Sequence, residues 1–168
     1  MTERRKDAKH QTGGLPMNVI KVYKKERKLE LWHDDALMRS FRISLGFSPE
    51  GQKLRDGDGR TPEGRYYICT KNKQSKFTLF LGISYPNIQD AERGLAQGLI
   101  TRDEFEQIKL SIENGKRPCW ETTLGGKIGI HGMGASRDWT AGCIAMDDED
   151  IIWLWDRAEI GDTVEIYE

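Results

Sequence analysis

The chain has 168 residues, of which 37% are hydrophobic and 32% are charged, and its formal net charge is -1. This size and composition fit one globular domain with a substantial core. The near-neutral charge argues against a general nucleic-acid or anionic-membrane binder, because both need a basic excess. The longest apolar run is far below the roughly 18 residues of a membrane span.

The first sixteen residues differ from the rest of the chain. Residues 1–16 are polar and basic and lack a helical or strand period, so we predict a disordered tail or linker. They also lack the apolar stretch of a secretory signal peptide. On this basis the protein is either cytoplasmic or lacks its leader, and residues 17–168 form the expected domain.

Most of the remaining chain carries strand signals. Runs of β-branched and aromatic residues alternate with polar ones and are separated by charged or glycine-rich turns. The first three runs follow each other closely, which predicts a meander at the start of a mainly β fold. The predicted strands are 19–23, 29–31, 41–45, 66–70, 77–83, 128–131 and 163–167.

A helical insertion interrupts the strands at 87–115. Thr101 and Glu104 have the spacing of a capping box, and Gly115 is a typical helix stop. Two roles are open for the insertion: a lid over a site, or a part of the scaffold. The predicted helices are 87–98, 101–114 and, after the insertion, 148–158, whose first turn is acidic as the helix dipole favours.

One histidine and one cysteine near the C-terminus, each beside a glycine, carry the strongest chemical signal. His131 precedes Gly132, and Cys143 follows Gly142. A nearby imidazolium lowers the thiol pKa from about 8.5 and favours the nucleophilic thiolate. We therefore predict acyl transfer with Cys143 as nucleophile and His131 as base. A glycine before the cysteine permits a sharp turn whose backbone N–H groups face an oxyanion.

The remaining cysteines do not suggest a metal site or a disulfide framework. Cys69 lies in a strand-like run and Cys119 lies between Pro118 and Trp120, so both are interpreted as structural. A zinc site would have to combine His131 and Cys143 with a carboxylate such as Asp138. One histidine and one cysteine make zinc a weak hypothesis. We expect no metal and no cofactor, since a thiolate, an imidazole and an oxyanion hole suffice.

Several segments together resemble a known family. The segments 130–132 and 140–144 resemble the active-site signature of the L,D-transpeptidase catalytic domain, or YkuD domain. The Thr-Pro-x-Gly stretch within 60–68 is similar to the one that leads into a core strand of that family. The segments 83–87 and 142–146 resemble its YafK-like branch. The resemblance covers nearly the whole chain, and the combination of motifs is specific.

The resemblance implies a β-sandwich or barrel-like domain with a helical insertion and a C-terminal helix–strand unit. It also implies attack by Cys143 on the L-centre carbonyl of the diamino acid in a peptidoglycan stem peptide. A thioester forms, a D-residue leaves, and an amine or water resolves the thioester. The implied site residues are Cys143 (nucleophile), His131 (base), Gly132 (carbonyl that orients the imidazole), Gly142 (oxyanion hole), Thr140 (motif hydroxyl) and Tyr85 (substrate groove). We add Arg60 as a candidate substrate-binding residue.

Two positions depart from the family pattern. Many members have histidine at the position of Ala141 and arginine at that of Ala145, and Arg137 or Arg60 is a candidate replacement for the cation. The YafK-like branch shares the second alanine, and there the implied activity leans towards cleavage at the diamino acid.

Three functions are therefore open: an L,D-transpeptidase of cell-wall remodelling, an L,D-carboxypeptidase or amidase that uses water, and a non-catalytic peptidoglycan-binding module. The family implies the periplasm or cell envelope.

Overall fold

The computed structural model describes residues 17–168, and the predicted tail at 1–16 lies outside them. Within this part of the chain there are eight strands and three helices. In chain order they are β1 (Asn18–Tyr23), β2 (Lys28–His33), β3 (Ala36–Arg42), β4 (Gly64–Asn72), β5 (Phe80–Ile83), α1 (Ile88–Ala96), α2 (Arg102–Glu113), β6 (Gly129–His131), β7 (Ile144–Ala145), α3 (Asp148–Trp155) and β8 (Thr163–Tyr167).

The strands form one curled sheet in the order β3-β2-β1-β8-β4-β5-β6-β7. The pairs β1–β8 and β6–β7 are parallel, and the others are antiparallel. Beyond β3 the chain reaches the opposite edge of the sheet, where Ser44 bridges Ala145 and Gly46 bridges Thr140. The two ends of the sheet are thereby joined. This confirms the predicted mainly β, barrel-like class.

The main core lies inside the curl of the sheet and under α3. Alternate residues of the central strands point inwards, as the two-residue period of a strand requires. No helix among residues 17–168 is both long enough and apolar enough to cross a bilayer. The largest fully buried side chains of this core include Ile20, Leu29, Leu31, Ile43, Leu45, Ile68, Leu81, Ile83 and Ile130.

Two predicted strands differ from the observed ones by three residues or more at an end, and the short strand β7 is not among those predicted. The strand predicted at 41–45 stops at Arg42, because the next residues leave β2 to bridge β7. The strand predicted at 77–83 begins only at Phe80. There the carbonyl of Phe77 accepts a hydrogen bond from the N–H of Gly132 at 2.9 Å, so it is bonded to the loop after β6. Both differences bring a loop to the end of the sheet where β6 and β7 lie.

The helical insertion forms two helices with a small hydrophobic cluster of their own. The predicted capping box is confirmed, since Thr101 accepts from the N–H of Glu104, whose side chain accepts from the N–H of Thr101. The insertion is tied to the sheet by the hydroxyl of Tyr66, which donates to Asp90 at 2.8 Å. The buried cluster comprises Ala91, Ile100, Phe105, Ile108 and Leu124.

Candidate active site

The pairing of β6 with β7 determines where the histidine and the cysteine lie. Ile130 is level with Ile144, and His131 with Ala145, in a parallel register. Continued by one residue, this register places Cys143 level with Gly129. Side chains alternate between the two faces of a sheet, and level residues point the same way. We therefore expect the side chain of Cys143, the residue just before β7, to lie on the same face of the sheet as that of His131 on β6.

The imidazole of His131 is buried, oriented by a hydrogen bond and neutral. Only 1% of the residue is exposed, and its ring stacks on Phe77 with centroids 4.4 Å apart and meets Trp139 edge-on at 5.6 Å. Nδ1 lies 2.8 Å from the carbonyl oxygen of Gly132. A carbonyl can only accept, so Nδ1 carries the proton and Nε2 has the free lone pair. Burial lowers the pKa of His131 below its ordinary 6.5, which keeps the ring neutral at pH 7.

The thiol of Cys143 is held in its protonated form. It donates to the carbonyl of Lys127 at 3.4 Å, and the N–H of Gly129 faces the sulfur. Burial raises the pKa of the thiol to about 11, because removal from water disfavours the thiolate. The prediction that an imidazolium lowers this pKa is therefore wrong for the free protein. The imidazole of His131 is itself neutral and supplies no positive charge.

The turn before Cys143 requires a glycine. Gly142 has a φ of +140°, and a Cβ at this position would lie 2.8 Å from the carbonyl oxygen of Arg60. The hydroxyl of Thr140 donates to the carbonyl of Cys143 at 2.7 Å and accepts from the N–H of Gly142 at 3.2 Å. The backbone N–H of Gly142, the predicted oxyanion donor, is thus hydrogen-bonded to Thr140 in this structure. The hydroxyl of Thr140 therefore fixes the turn at both Gly142 and Cys143.

Gly132 connects His131 to Phe77, the aromatic residue whose ring stacks on the imidazole. Its carbonyl orients His131, and its N–H donates to the carbonyl of Phe77. A Cβ at Gly132 would lie 2.5 Å from Oδ1 of Asp148. That carboxylate in turn accepts from the N–H of Met133 at 2.9 Å. The absence of a side chain therefore allows the loop after β6 to pack between the segment just before β5 and the first turn of α3.

The side chains of two predicted site residues, Tyr85 and Arg60, make other contacts in the structure. Tyr85 is 0% exposed, and its hydroxyl donates to the carbonyl of Leu124 at 2.8 Å. It is therefore a core residue with no surface for a substrate, contrary to the predicted groove contact. The guanidinium of Arg60 lies near the carbonyl of Gln52, 3.5 Å away. The atoms of Arg60 that lie nearest to Gly142 are those of its backbone carbonyl.

Aromatic rings that sequence reasoning missed surround the site. Gly82 and Gly129 are level with each other on β5 and β6. A Cβ at Gly129 would lie 2.6 Å from the ring of Phe80, and one at Gly82 would lie 3.1 Å from the ring of Trp120. Both rings thus pack closely against these two glycines, at the level of the sheet where the register places Cys143. The paired glycines are a signal of this close approach, but only once the register of β5 and β6 is known.

The chain belongs to the L,D-transpeptidase catalytic domain (YkuD) family, whose family model matches residues 17–166. Over 96 residues it is 31% identical to YafK of Escherichia coli (strain K12), which carries the name of an L,D-transpeptidase. That match covers 53% of this chain and 38% of YafK. The chain therefore corresponds to well under two thirds of this relative.

Solved structures share the fold. The helical cell shape determining protein Pgp2 of Campylobacter jejuni matches with a TM-score of 0.64 and 22% identity, over 91% of this chain and 48% of Pgp2. Bd1075 of Bdellovibrio bacteriovorus matches with a TM-score of 0.57 and 21% identity, over 94% and 50% of the two chains. An L,D-transpeptidase of Mycobacterium smegmatis matches with a TM-score of 0.54 and 10% identity, over 91% and 59%.

Proposed function

We propose that the protein is a cysteine-dependent acyltransferase acting on peptidoglycan stem peptides at the L-centre carbonyl of the diamino acid. The observation that carries this proposal is the pairing of β6 with β7. Its register supports a neutral, oriented imidazole on the same face as the side chain of Cys143. Membership of the L,D-transpeptidase family supplies the substrate class.

The reaction needs only groups of this chain. The sulfur of Cys143 attacks the carbonyl carbon while its proton passes to Nε2 of His131. The oxyanion that forms is bound by backbone N–H groups of the turn, with that of Cys143 as the expected donor. The C–N bond then breaks, and the imidazolium gives its proton to the departing amine. A thioester remains, and a second amine or water attacks it as His131 takes and returns a proton.

The resting state explains why His131 must act as a base during the attack. With a thiol pKa of about 11, only a small fraction of Cys143 is ionised at neutral pH. The proton therefore leaves as the sulfur attacks, and the bond to the carbonyl of Lys127 breaks in the same step. A rotation about the Cα–Cβ bond of Cys143 turns the sulfur from β6 towards the substrate.

Hydrolysis of the same bond is the second candidate function. Ala145 is fully buried and level with His131, so this position offers no cation beside the base. Many members of the family have an arginine there. Its absence favours an L,D-carboxypeptidase or amidase, in which water takes the place of the acceptor amine. A non-catalytic binding module is not favoured, because the base is oriented for proton transfer.

The test uses the disaccharide tetrapeptide as substrate, with and without a free D-amino acid. We expect an acyl adduct in the intact mass spectrum, located on Cys143 after proteolysis, and release of the terminal D-residue. Exchange of the D-residue identifies transpeptidation, while a tripeptide product alone identifies hydrolysis. A protein that binds the tetrapeptide but yields neither adduct nor product would refute both enzymatic functions.

Substituting Gly142 by alanine should reduce kcat/KM by about 10²-fold. The new Cβ would meet the carbonyl of Arg60 at 2.8 Å and strain a φ of +140°, so the turn that carries Cys143 must shift. Steady-state release of the D-residue measures the effect. Gly161→Ala is the matched control, because its φ of +98° carries a similar backbone cost with no atom within 4 Å of the new Cβ. Equal activity losses in the two variants would contradict the role given to the turn.

A further inference from the structure

An open depression of about 440 Å³ lies beside two aromatic rings that contact His131. Phe77 and Trp139, which form part of its wall, are the same rings that contact His131 on two sides. The indole N–H of Trp139 donates to the carbonyl of Gly134 at 3.0 Å, which fixes this wall. The depression is lined by Lys76, Phe77, Met133, Ser136, Arg137 and Trp139.

The lining carries two cations and no carboxylate. Lys76 and Arg137 are both exposed, and neither forms an ion pair with any residue between 17 and 168. The carboxylate next in sequence, Asp138, is engaged by Arg27 at 2.8 Å. Asp148, behind the loop after β6, accepts from the hydroxyl of Thr78 at 2.7 Å. The two cations are thus left for an anionic ligand.

We propose that this depression is a subsite for the carboxylate of the amine partner, meaning the amino acid that leaves or enters at the scissile bond. The inference rests on the proposed function. Nε2 of His131 exchanges its proton with the nitrogen of that amino acid in both halves of the reaction. The α-carboxylate of an amino acid is only two bonds from its nitrogen. A nitrogen at His131 therefore brings the carboxylate next to the rings that border this depression.

The chemistry of the lining suits such a ligand. The planar guanidinium of Arg137 can bind both oxygens of a carboxylate, and the ammonium of Lys76 adds a second charge. The hydroxyl of Ser136 is a further donor. Phe77 and Trp139 offer apolar surface to the rest of the amino acid. The site should therefore prefer a free terminal carboxylate over a neutral amide of the same peptide.

The test compares a stem tetrapeptide that ends in a free D-alanine with its C-terminal amide. Adduct formation on Cys143 and tripeptide release are measured for the wild type, for Arg137→Gln with Lys76→Gln, and for the control Arg102→Gln on α2. We expect the wild type to prefer the acid by at least about tenfold, the range of charge-assisted hydrogen bonds. The double variant should lose this preference because its rate on the acid falls towards its rate on the amide, while the control keeps the wild-type preference.

Two outcomes would overturn the proposal, and they differ from a failure of the proposed function. One is an unchanged acid-to-amide preference in the double variant. The other is an equal loss on both substrates, which would indicate a general effect on the fold. If the wild type forms no adduct with either peptide, the proposed function itself fails. When the double variant loses the acid preference, the two single variants show how much each residue contributes. Arg137→Gln should cause the larger loss.

Discussion

Replacing Cys143 by alanine should abolish the acyl adduct and lower the rate of D-residue release by about 10⁴-fold or more. In the proposed reaction the sulfur of Cys143 is the protein atom that bonds to the substrate carbon, and the thioester cannot form without it. The fold should be unchanged, because the residue is half-buried at the edge of β7 and loses a single long hydrogen bond to Lys127. Intact mass and product release measure the two effects.

The matched control is Cys119→Ala, which removes a half-buried thiol from the loop before β6. Its adduct and its rate should equal those of the wild type. Labelling of the cysteines by a small electrophile in the absence of substrate is a weaker test, because it distinguishes Cys143 less clearly from Cys69. Burial raises the pKa of Cys69, as it does that of Cys143, to about 11. An acyl adduct that persists in Cys143→Ala would show that another residue is the nucleophile.

Much of the sheet follows from local pattern alone. The alternation of apolar and polar residues locates β1, β2, β4 and β8, since each has one face towards the core. The helical insertion follows from cap residues that act within a few positions of each other, as Thr101 and Glu104 do. His131 and Cys143 could be singled out because their glycines signal sharp backbone turns next to reactive side chains.

The surroundings of the pair depend on long-range contacts that no local pattern contains. The ring of Phe77 reaches His131 because its carbonyl is bonded to Gly132, far along the chain. Tyr85 lies in a segment that resembles the family motif, but its burial depends on how the insertion packs onto the sheet. The pKa of the Cys143 thiol is likewise set by desolvation, which only the folded chain creates.

Replacing His131 by glutamine should lower kcat/KM by about 10³-fold, the contribution of a general base. Glutamine can still donate to the carbonyl of Gly132, but it cannot take the proton of Cys143. The matched control is His33→Gln on β2, an imidazole bonded to Asn18 at 2.7 Å. It should retain full activity. An active His131→Gln variant would show that the thiol ionises without the imidazole.

The pH dependence offers a second, independent test of the same residue. Burial lowers the pKa of His131 below 6.5, so the neutral base persists as the pH falls past that value. The acid limb of kcat/KM should therefore have its midpoint below 6.5 and should vanish in His131→Gln. The unfolded chain binds a proton at His131 more readily than the folded chain does. The contribution of His131 to the free energy of unfolding is therefore fully present above pH 6.5. It decreases as the pH falls from there towards the lower pKa of the folded state. A midpoint above 6.5 would mean that the imidazolium is stabilised at the site, as expected for a thiolate–imidazolium pair and not for the neutral pair described above.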